Sequence, residues 1–176
     1  MKKLYFVAIL AIAGTTMLLQ GCSQTGVKVG KPGPAWETVT LAGVHLNSDE
    51  LKGSYVLMYF WGTSCDACRA ENPPLMEVFE SFRDARFKHA SDFKIVGIAL
   101  NSNALDCRRI IREDKLKIRH HILYNTPAEQ MYDAPMAKLY GIKKIPTRIL
   151  LDENGVVLGV DLSVEEVDQL LHSKLL

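Results

Sequence analysis

The chain has 176 residues, of which 48% are hydrophobic, and its 21 Lys and Arg against 20 Asp and Glu leave a formal net charge of +1. This length fits one compact domain together with a targeting segment. The near-neutral charge gives none of the basic excess that nucleic-acid binding requires, so no nucleic-acid partner is expected.

The first 22 residues resemble the leader of a bacterial lipoprotein. The charged start Met1-Lys2-Lys3 precedes an apolar stretch over 4–19, and Gly21 stands directly before Cys22. This pattern predicts a signal peptide over 1–21 and an acylated N-terminus at Cys22, which anchors the protein to a membrane. The alternative is an uncleaved transmembrane anchor, because the apolar run is near the lower limit of about 17 residues for a span. Either arrangement holds the domain outside the cytoplasm.

A flexible linker and a β-hairpin are predicted after the leader. Residues 22–34 contain three glycines, two prolines and two lysines without periodicity, which indicates a linker. Apolar and polar residues then alternate over 36–41 and again over 44–46, with Ala42-Gly43 between them. This alternation around a short turn predicts two paired strands.

The next segment carries two cysteines at the start of a helix. An apolar run of strand length, 56–60, is followed by the turn Gly62-Thr63-Ser64 and a helical pattern, so Cys65 falls at a helix N-terminus. Unpaired N–H groups and the helix dipole favour an anion there, which predicts that Cys65 is the nucleophilic thiolate. Cys68 lies nearly one turn further on the same side, within disulfide reach of Cys65, and is predicted to be the resolving thiol.

The elements after the cysteines predict a βαβ unit. A helix is expected over 66–89, with a kink at Pro73-Pro74, followed by a strand at 93–100 and an amphipathic helix at 104–117. Because crossover connections are right-handed, the two strands are expected to lie parallel in one sheet covered by helices.

The second half of the chain is predicted to complete the sheet and to end in a helix. The predicted elements are, in order, a strand at 122–124, a helix at 136–140 ended by Gly141, strands at 148–151 and 156–160, and a helix after Ser163. Asn154-Gly155 predicts a tight turn between the last two strands, and Ser163 with Glu166 forms a capping box. The order βαβ followed by ββα is the thioredoxin topology.

The segment 60–73, which contains both cysteines, resembles the active-site segment of the TlpA/ResA-like, membrane-anchored thioredoxin-fold oxidoreductases, in the AhpC/TSA-Redoxin-like branch. The resemblance implies an α/β thioredoxin fold over 35–176, with a mixed central sheet flanked by helices. It also matches the N-terminal hairpin and a helical insertion between residues 101 and 121. A redox-active disulfide between Cys65 and Cys68 is implied, together with a part for Trp61 in substrate binding.

The segment 141–147 resembles the cis-proline loop of the same family. There the proline packs beside the dithiol and the backbone of the preceding residue pairs with an incoming chain, so these roles are carried over to Pro146 and Ile145. Proline has an accessible cis form and lacks an N–H, so it can approach the thiols without offering a donor. Taken alone, the loop would be an ordinary trans X-Pro turn, since only about 5–6% of X-Pro bonds are cis.

Proton handling is expected to involve Glu71. This residue matches the acidic residue that follows the dithiol in ResA-like proteins, where it tunes cysteine protonation, although solvation alone would also explain it. Thioredoxin has a buried aspartate on the central strand, and the matching position here is Tyr59, which cannot act as a carboxylate base. Proton transfer to and from Cys68 would then fall to Glu71 or to water. Asp66 opposes thiolate formation at Cys65 and favours a more reducing couple.

Other uses of the cysteines are less well supported. A structural zinc site would need a second Cys-x-x-Cys or paired histidines, which the sequence lacks, so no metal site and no cofactor are expected. A thioredoxin-fold copper(I) chaperone, with Cys65 and Cys68 as soft ligands, is the alternative from another class. Cys107, on the predicted helix at 104–117, is expected to be a buried small hydrophobe.

The sequence thus predicts an extracytoplasmic thiol–disulfide oxidoreductase, of the protein-disulfide reductase type, anchored to a membrane of the cell envelope and facing the periplasm or the exterior. The implied partners are extracytoplasmic cysteine-containing proteins, a membrane thiol-reducing donor, and the membrane itself through the lipid. A function as disulfide oxidase or isomerase is the alternative. The charge of Asp66 shifts the reduction potential by far less than the roughly 150 mV that separates reducing from oxidising dithiol proteins, so it does not decide the direction of electron flow.

Overall fold

The computed structural model describes residues 26–176, so the predicted signal peptide and Cys22 lie outside the described residues. These residues form seven strands and four α-helices. In order these are β1 Glu37–Val39, β2 His45–Asn47, β3 Tyr55–Trp61, α1 Asp66–Phe82, β4 Phe93–Ala99, α2 Ala104–Glu113, β5 His120–Leu123, α3 Pro135–Tyr140, β6 Thr147–Leu151, β7 Val157–Val160 and α4 Val164–His172. Short 3-10 helices span Ser48–Leu51 and Ala128–Asp133.

Five strands form one mixed sheet in the order β5-β4-β3-β6-β7. β3 is parallel to β4 and antiparallel to β6, while β5 extends the parallel side and β7 the antiparallel side. This arrangement is the predicted thioredoxin fold, which is confirmed. The predicted hairpin also forms, as a separate two-stranded sheet of β1 and β2.

The central strand β3 is buried along its whole length, because both faces of the sheet are covered. Side chains that point to one face, such as Leu57 and Tyr59, pack with residues of α1, α2 and α4. Those that point to the other face, such as Met58 and Phe60, pack with α3 and the hairpin. A strand buried on both faces requires an unbroken apolar run. Because β3 is held at the centre of the sheet, it fixes the position of the turn that follows Trp61.

Two predicted helices end earlier than expected. α1 runs through Pro73-Pro74 and stops at Phe82, not at residue 89, because the chain turns there and buries Phe87 against the rings of Tyr55 and Phe82. α2 stops at Glu113, not at residue 117, since Asp114 turns toward α1. The C-terminal ends of α1 and α2 are thus set by contacts between residues far apart in the sequence, which the hydrophobic periodicity of a helix does not reveal.

The described part of the predicted linker is attached to the sheet. Gly33 donates its N–H to the carbonyl of Gly155 at 2.8 Å, and Gly30 donates to the carbonyl of Val157 at the same distance. The amide of Val157 in turn donates to the carbonyl of Lys31 at 2.9 Å. Residues 30–33, which we call the edge strap, thus pair with residues 155–157 at the start of β7 and do not form a free spacer. No helix between residues 26 and 176 is long and apolar enough to cross a membrane.

Candidate active site

The two cysteines lie where β3 ends and α1 begins. Cys65 is the N-cap residue of α1 and Cys68 lies in its first turn, and the two are joined by a disulfide with their Cα atoms 5.2 Å apart. Cys65 is half-buried, whereas Cys68 has no exposed surface. The structure therefore gives an outside partner access to one sulfur and shields the other.

The backbone around Cys65 is arranged to stabilise negative charge on its sulfur. The N–H of Cys68 donates to Sγ of Cys65 at 3.1 Å. The position is a helix N-cap, where unpaired N–H groups and the helix dipole favour an anion. This donor and the helix N-terminus agree with the prediction that Cys65 is the thiolate of the reduced pair, which stays a prediction.

A buried serine holds the turn that leads to Cys65. Oγ of Ser102 accepts the N–H of Thr63 at 3.1 Å and lies 3.2 Å from the Thr63 hydroxyl, while it donates to the carbonyl of Leu100 at 3.0 Å. Ser102 is only 2% exposed. The end of β4 thereby fixes the turn after β3.

The cis-proline loop packs directly on this turn. The Ile145–Pro146 peptide bond is cis, and the hydroxyl of Thr147 closes the loop by donating to the carbonyl of Lys144 at 2.8 Å. A Cβ added to Gly62 would lie 3.0 Å from Cδ1 of Ile145, so only glycine fits there without displacement. Ile145 also belongs to the apolar cluster that Cys65 contacts. The predicted Ile145 is therefore brought to the turn that leads to Cys65, and Pro146 follows it in the same loop.

Trp61 is placed differently from the predicted substrate-binding role. Its side chain is fully buried, stacked on the ring of Tyr59 at 6.4 Å and edge-on to His121 at 6.3 Å. A side chain without exposed surface offers nothing to a partner directly. Trp61 instead supports the end of β3 from within the core.

Glu71 lies one turn after Cys68 and forms an ion pair with Arg148. Arg148 is only 3% exposed, on β6, where it is the register partner of Tyr59 and lies 5.4 Å from the centre of the Tyr59 ring. Its Nη1 donates to the carbonyl of Leu162 at 3.0 Å. The Glu71 carboxylate is thus directed toward a buried cation beneath the dithiol, and its part in proton transfer stays a prediction.

A second set of polar contacts starts at Tyr59. Its hydroxyl donates to Oδ1 of Asn72 at 2.9 Å, and Nδ2 of Asn72 donates to Asp114 at 2.7 Å. Arg69 completes the set with two bonds of 2.6 Å to the same carboxylate. Burial raises the pKa of Tyr59 further above its usual value. The phenol therefore stays protonated and holds the first turns of α1 as a donor.

Sequence reasoning missed Arg148, Asn72, Asp114 and Ser102. Arg148 left a visible signal, because it is a charged residue at the start of a strand that is otherwise apolar. The other three are ordinary polar residues in polar surroundings, and only their partners distinguish them.

Cys107 is buried, as predicted. It has no exposed surface, and burial raises the pKa of its thiol to about 11. A thiol that stays protonated is a poor nucleophile and a poor metal ligand. Within the part of the chain that the structure describes, no group of three or more His, Cys, Asp or Glu residues could hold a metal ion.

Comparison with known proteins agrees with this geometry. A family model described as thioredoxin-like matches residues 53–157. The thiol-disulfide oxidoreductase ResA of Bacillus anthracis is 24% identical over 144 residues, which cover 82% of this chain and 75% of that protein. The solved thioredoxin domain of a thiol-disulfide oxidoreductase from Bacteroides vulgatus superimposes with a TM-score of 0.67 at 26% identity, covering 84% of this chain and 98% of that one. A thiol:disulfide interchange protein from Bacteroides sp. gives 0.66 at 26% identity, with 84% and 90% covered.

The fold and the site define a protein of the thioredoxin class, with one accessible and one shielded cysteine and a cis-proline loop packed on the turn before them. The family model matches more than half of the residues, and the chain belongs to the thioredoxin-like family. Its similarity to ResA and to thiol–disulfide oxidoreductase domains confirms the predicted TlpA/ResA-like resemblance.

Proposed function

We propose that this protein is an extracytoplasmic thiol–disulfide oxidoreductase that reduces disulfides in cysteine-containing proteins. The observation that supports it best is the asymmetry of the pair: Cys65 is half-buried and receives the Cys68 N–H, while Cys68 has no exposed surface. A reductase needs one sulfur that meets the substrate and a second that acts only afterwards.

The reaction runs in two exchanges. The Cys65 thiolate attacks one sulfur of the substrate disulfide, a mixed disulfide forms, and the other substrate sulfur leaves as a thiolate that takes up a proton. Cys68 then loses its proton and attacks the Cys65 sulfur, which releases the second substrate thiol. The substrate gains two electrons and two protons, and the protein is left with the Cys65–Cys68 disulfide.

The residues around the pair have separate parts in this proposal. Ile145 offers its backbone to the incoming chain, and Pro146 shapes the surface beside Cys65. Glu71, or water, receives the proton from Cys68. Because the Glu71 carboxylate is paired with Arg148, its access to Cys68 requires that this ion pair loosens when the disulfide opens.

The proposal includes an anchor and an electron donor. Cys22 carries the lipid that holds the domain to the membrane, and a membrane thiol-reducing donor returns the disulfide to the dithiol. The similarity to ResA supports this setting, as do the leader-like residues before Cys22.

The test is a reduction-potential titration combined with cysteine variants. Protein with Cys22→Ser is equilibrated with glutathione or dithiothreitol mixtures, and the Cys65–Cys68 pair is followed by mass. A potential near the reducing end, roughly −270 mV, supports a reductase, and one near roughly −120 mV would make the protein a disulfide donor. The absence of any two-electron transition would instead favour copper(I) binding.

The variants test the order of the two sulfurs. Cys68→Ser should accumulate a mixed disulfide with a disulfide-containing substrate peptide, and Cys65→Ser should form none. Cys107→Ser is the matched control and should keep the activity of the parent, because Cys107 is buried away from the surface. A mixed disulfide through Cys68 in the Cys65→Ser variant would contradict the mechanism.

A further inference from the structure

The edge strap determines where the chain enters the domain. Its hydrogen bonds to Gly155 and Val157 show that the strap is antiparallel to the start of β7, so the chain read backward from residue 33 to 30 runs in the direction of β7 itself. From Gly30, beside Val157, the chain followed backward therefore heads toward the end of the sheet where β7 stops.

That end of the sheet is the one that carries the dithiol. Val160 pairs with Ile149 of β6, and β6 begins two residues earlier at Thr147, which pairs with Phe60 near the end of β3. Cys65 follows this end of β3 after the three-residue turn Gly62-Thr63-Ser64. The strap thus points to the same end of the domain as the active site.

Gly26, the first described residue, contacts the beginning of the cis-proline loop. A Cβ built on Gly26 would lie 3.7 Å from Cα of Gly141 and 3.9 Å from the carbonyl oxygen of Tyr140. Gly141 follows α3 and leads through Lys143 and Lys144 to Ile145. The chain therefore enters beside the loop that shapes the substrate surface.

The remaining distance to the lipid is short. Three residues lie between Cys22 and Gly26. The four steps from one residue to the next cover at most about 3.6 Å each in an extended chain, or about 14 Å in all. A seven-residue strand such as β3 already extends about 23 Å. A lipid on Cys22 therefore cannot reach the opposite end of the sheet.

We propose that the dithiol end of the domain lies against the lipid surface, with Lys143, Lys144 and Val29 at the contact. Val29 is 63% exposed and both lysines are exposed, although Lys144 is paired with Asp161. The partners of Cys65 are then cysteines held at the membrane surface, not cysteines in the distant solvent. This inference rests on the lipidation that is part of the proposed function.

The test measures which end of the domain meets the headgroups. Full-length lipidated protein is bound to vesicles of phosphatidylethanolamine and phosphatidylglycerol, some of which carry a nitroxide on the headgroup. A fluorophore is attached to Lys143→Cys or, at the other end, to Asn154→Cys in the turn between β6 and β7. In the oxidised protein Cys65 and Cys68 are bonded to each other and Cys107 is buried, so the introduced thiol is the one that reacts.

We expect severalfold stronger quenching at position 143 than at position 154. A long Gly/Ser insertion between Ser23 and Gly26 should reduce the quenching at 143 toward that at 154, because the domain can then turn freely. Without the insertion, equal quenching at positions 143 and 154, or stronger quenching at 154, would overturn the inference.

Two controls separate this inference from the proposed function. Intact mass shows whether Cys22 carries a lipid, and an unmodified Cys22 overturns the membrane orientation. Disulfide reduction by the same preparation in detergent reports the chemistry of Cys65 and Cys68 alone. The orientation can therefore fail while the redox activity stands, and the reverse holds as well.

Discussion

Arg148 is a buried cation that joins β6 to the first turns of α1 through its ion pair with Glu71. It is 3% exposed, and its partners are the Glu71 carboxylate, the Leu162 carbonyl and the face of the Tyr59 ring. A buried cation is costly unless it is paired. Glu71, by contrast, is 42% exposed and can be solvated without its partner. The two ends of this ion pair are therefore not equivalent.

This asymmetry predicts unequal costs for removing either partner. Glu71→Gln leaves the Arg148 charge buried and is expected to lower the free energy of unfolding by about 2 kcal/mol, below the usual range for a buried pair because Glu71 is partly solvated. Arg148→Met removes the buried charge and keeps the volume, so it should cost less, about 1 kcal/mol or below. Urea unfolding of both single variants and of the double variant measures these values and their coupling.

An exposed ion pair is the control for this comparison. Lys144 and Asp161 lie 2.6 Å apart, with 67% and 47% of their side chains exposed. Lys144→Met should change the free energy of unfolding by no more than about 0.5 kcal/mol. A larger loss for Arg148→Met than for Glu71→Gln would show that the cation itself stabilises the fold, through the Tyr59 ring.

His121 makes the stability depend on pH. It is buried beside Trp61, and burial, together with the neighbouring His120, lowers the pKa of His121 from 6.5 to about 4. Between these values the unfolded chain binds a proton that the folded chain does not. The contribution of His121 to stability is therefore fully present above pH 6.5 and falls by about 3 kcal/mol as the pH drops to 4.

Urea unfolding between pH 7 and pH 4 measures this dependence. In His121→Leu, the loss of unfolding free energy between pH 7 and pH 4 should be smaller than in the parent by about 3 kcal/mol, whatever the effect of the substitution on stability at pH 7. His45, which is exposed on β2, provides the control, and His45→Asn should keep the slope of the parent. An unchanged slope in His121→Leu would contradict the expectation.

The site residues that could be predicted are those whose chemistry is local. Cys65 and Cys68 lie within one helical turn, and Ile145-Pro146 is one dipeptide. Residues that are close together in the sequence are therefore enough to identify both motifs. Arg148 and Asn72 act through partners 77 and 42 positions away in the sequence. Such pairings exist only once the sheet has brought β6 and the residues after α2 next to α1.

At the scale of the element, periodicity identified each helix and strand better than it identified their ends. The apolar stripe of α1 is present in the sequence, but its end at Phe82 follows from the burial of Phe87. The edge strap had no signal at all, because glycine and proline over 30–33 are typical of a linker. It is ordered by backbone bonds to β7, which no side-chain pattern encodes.

The strap offers a test of local stability. Gly30 has a φ of +77° and donates its N–H to Val157 at 2.8 Å, and Gly30→Pro removes both the conformation and the donor. We expect the strap to detach while the sheet stays folded. The Val157 amide, which donates to Lys31, should then exchange with solvent roughly tenfold faster, as the loss of about one hydrogen bond implies.

The control for the strap lies in the hairpin turn. Gly43 also has a positive φ, of +81°, with nothing near its missing Cβ. Gly43→Ala should destabilise that turn without changing exchange at Val157. If Gly30→Pro instead speeds exchange uniformly across β3 and β4, the strap is part of the cooperative fold and not a separate unit.

At the scale of the whole molecule, the disulfide couples folding to redox chemistry. Closing the loop from Cys65 to Cys68, four residues in all, stabilises the folded state by about 2 kcal/mol in the chain-entropy model. The thiolate of the reduced protein gains an opposing stabilisation at the helix N-terminus, about 1 kcal/mol. The oxidised protein should therefore be the more stable form by about 1 kcal/mol.

This difference shifts the reduction potential of the pair by a small part of the roughly 150 mV that separates reducing from oxidising dithiol proteins. By thermodynamic linkage, a fold that is more stable with the disulfide makes that disulfide harder to reduce and the dithiol a better reductant, by about 20 mV for 1 kcal/mol. Urea unfolding with and without dithiothreitol measures the difference directly. The variant with both Cys65→Ser and Cys68→Ser should show no effect of dithiothreitol. Greater stability of the reduced protein would contradict this prediction, because folding would then favour the dithiol and shift the potential toward that of a disulfide donor.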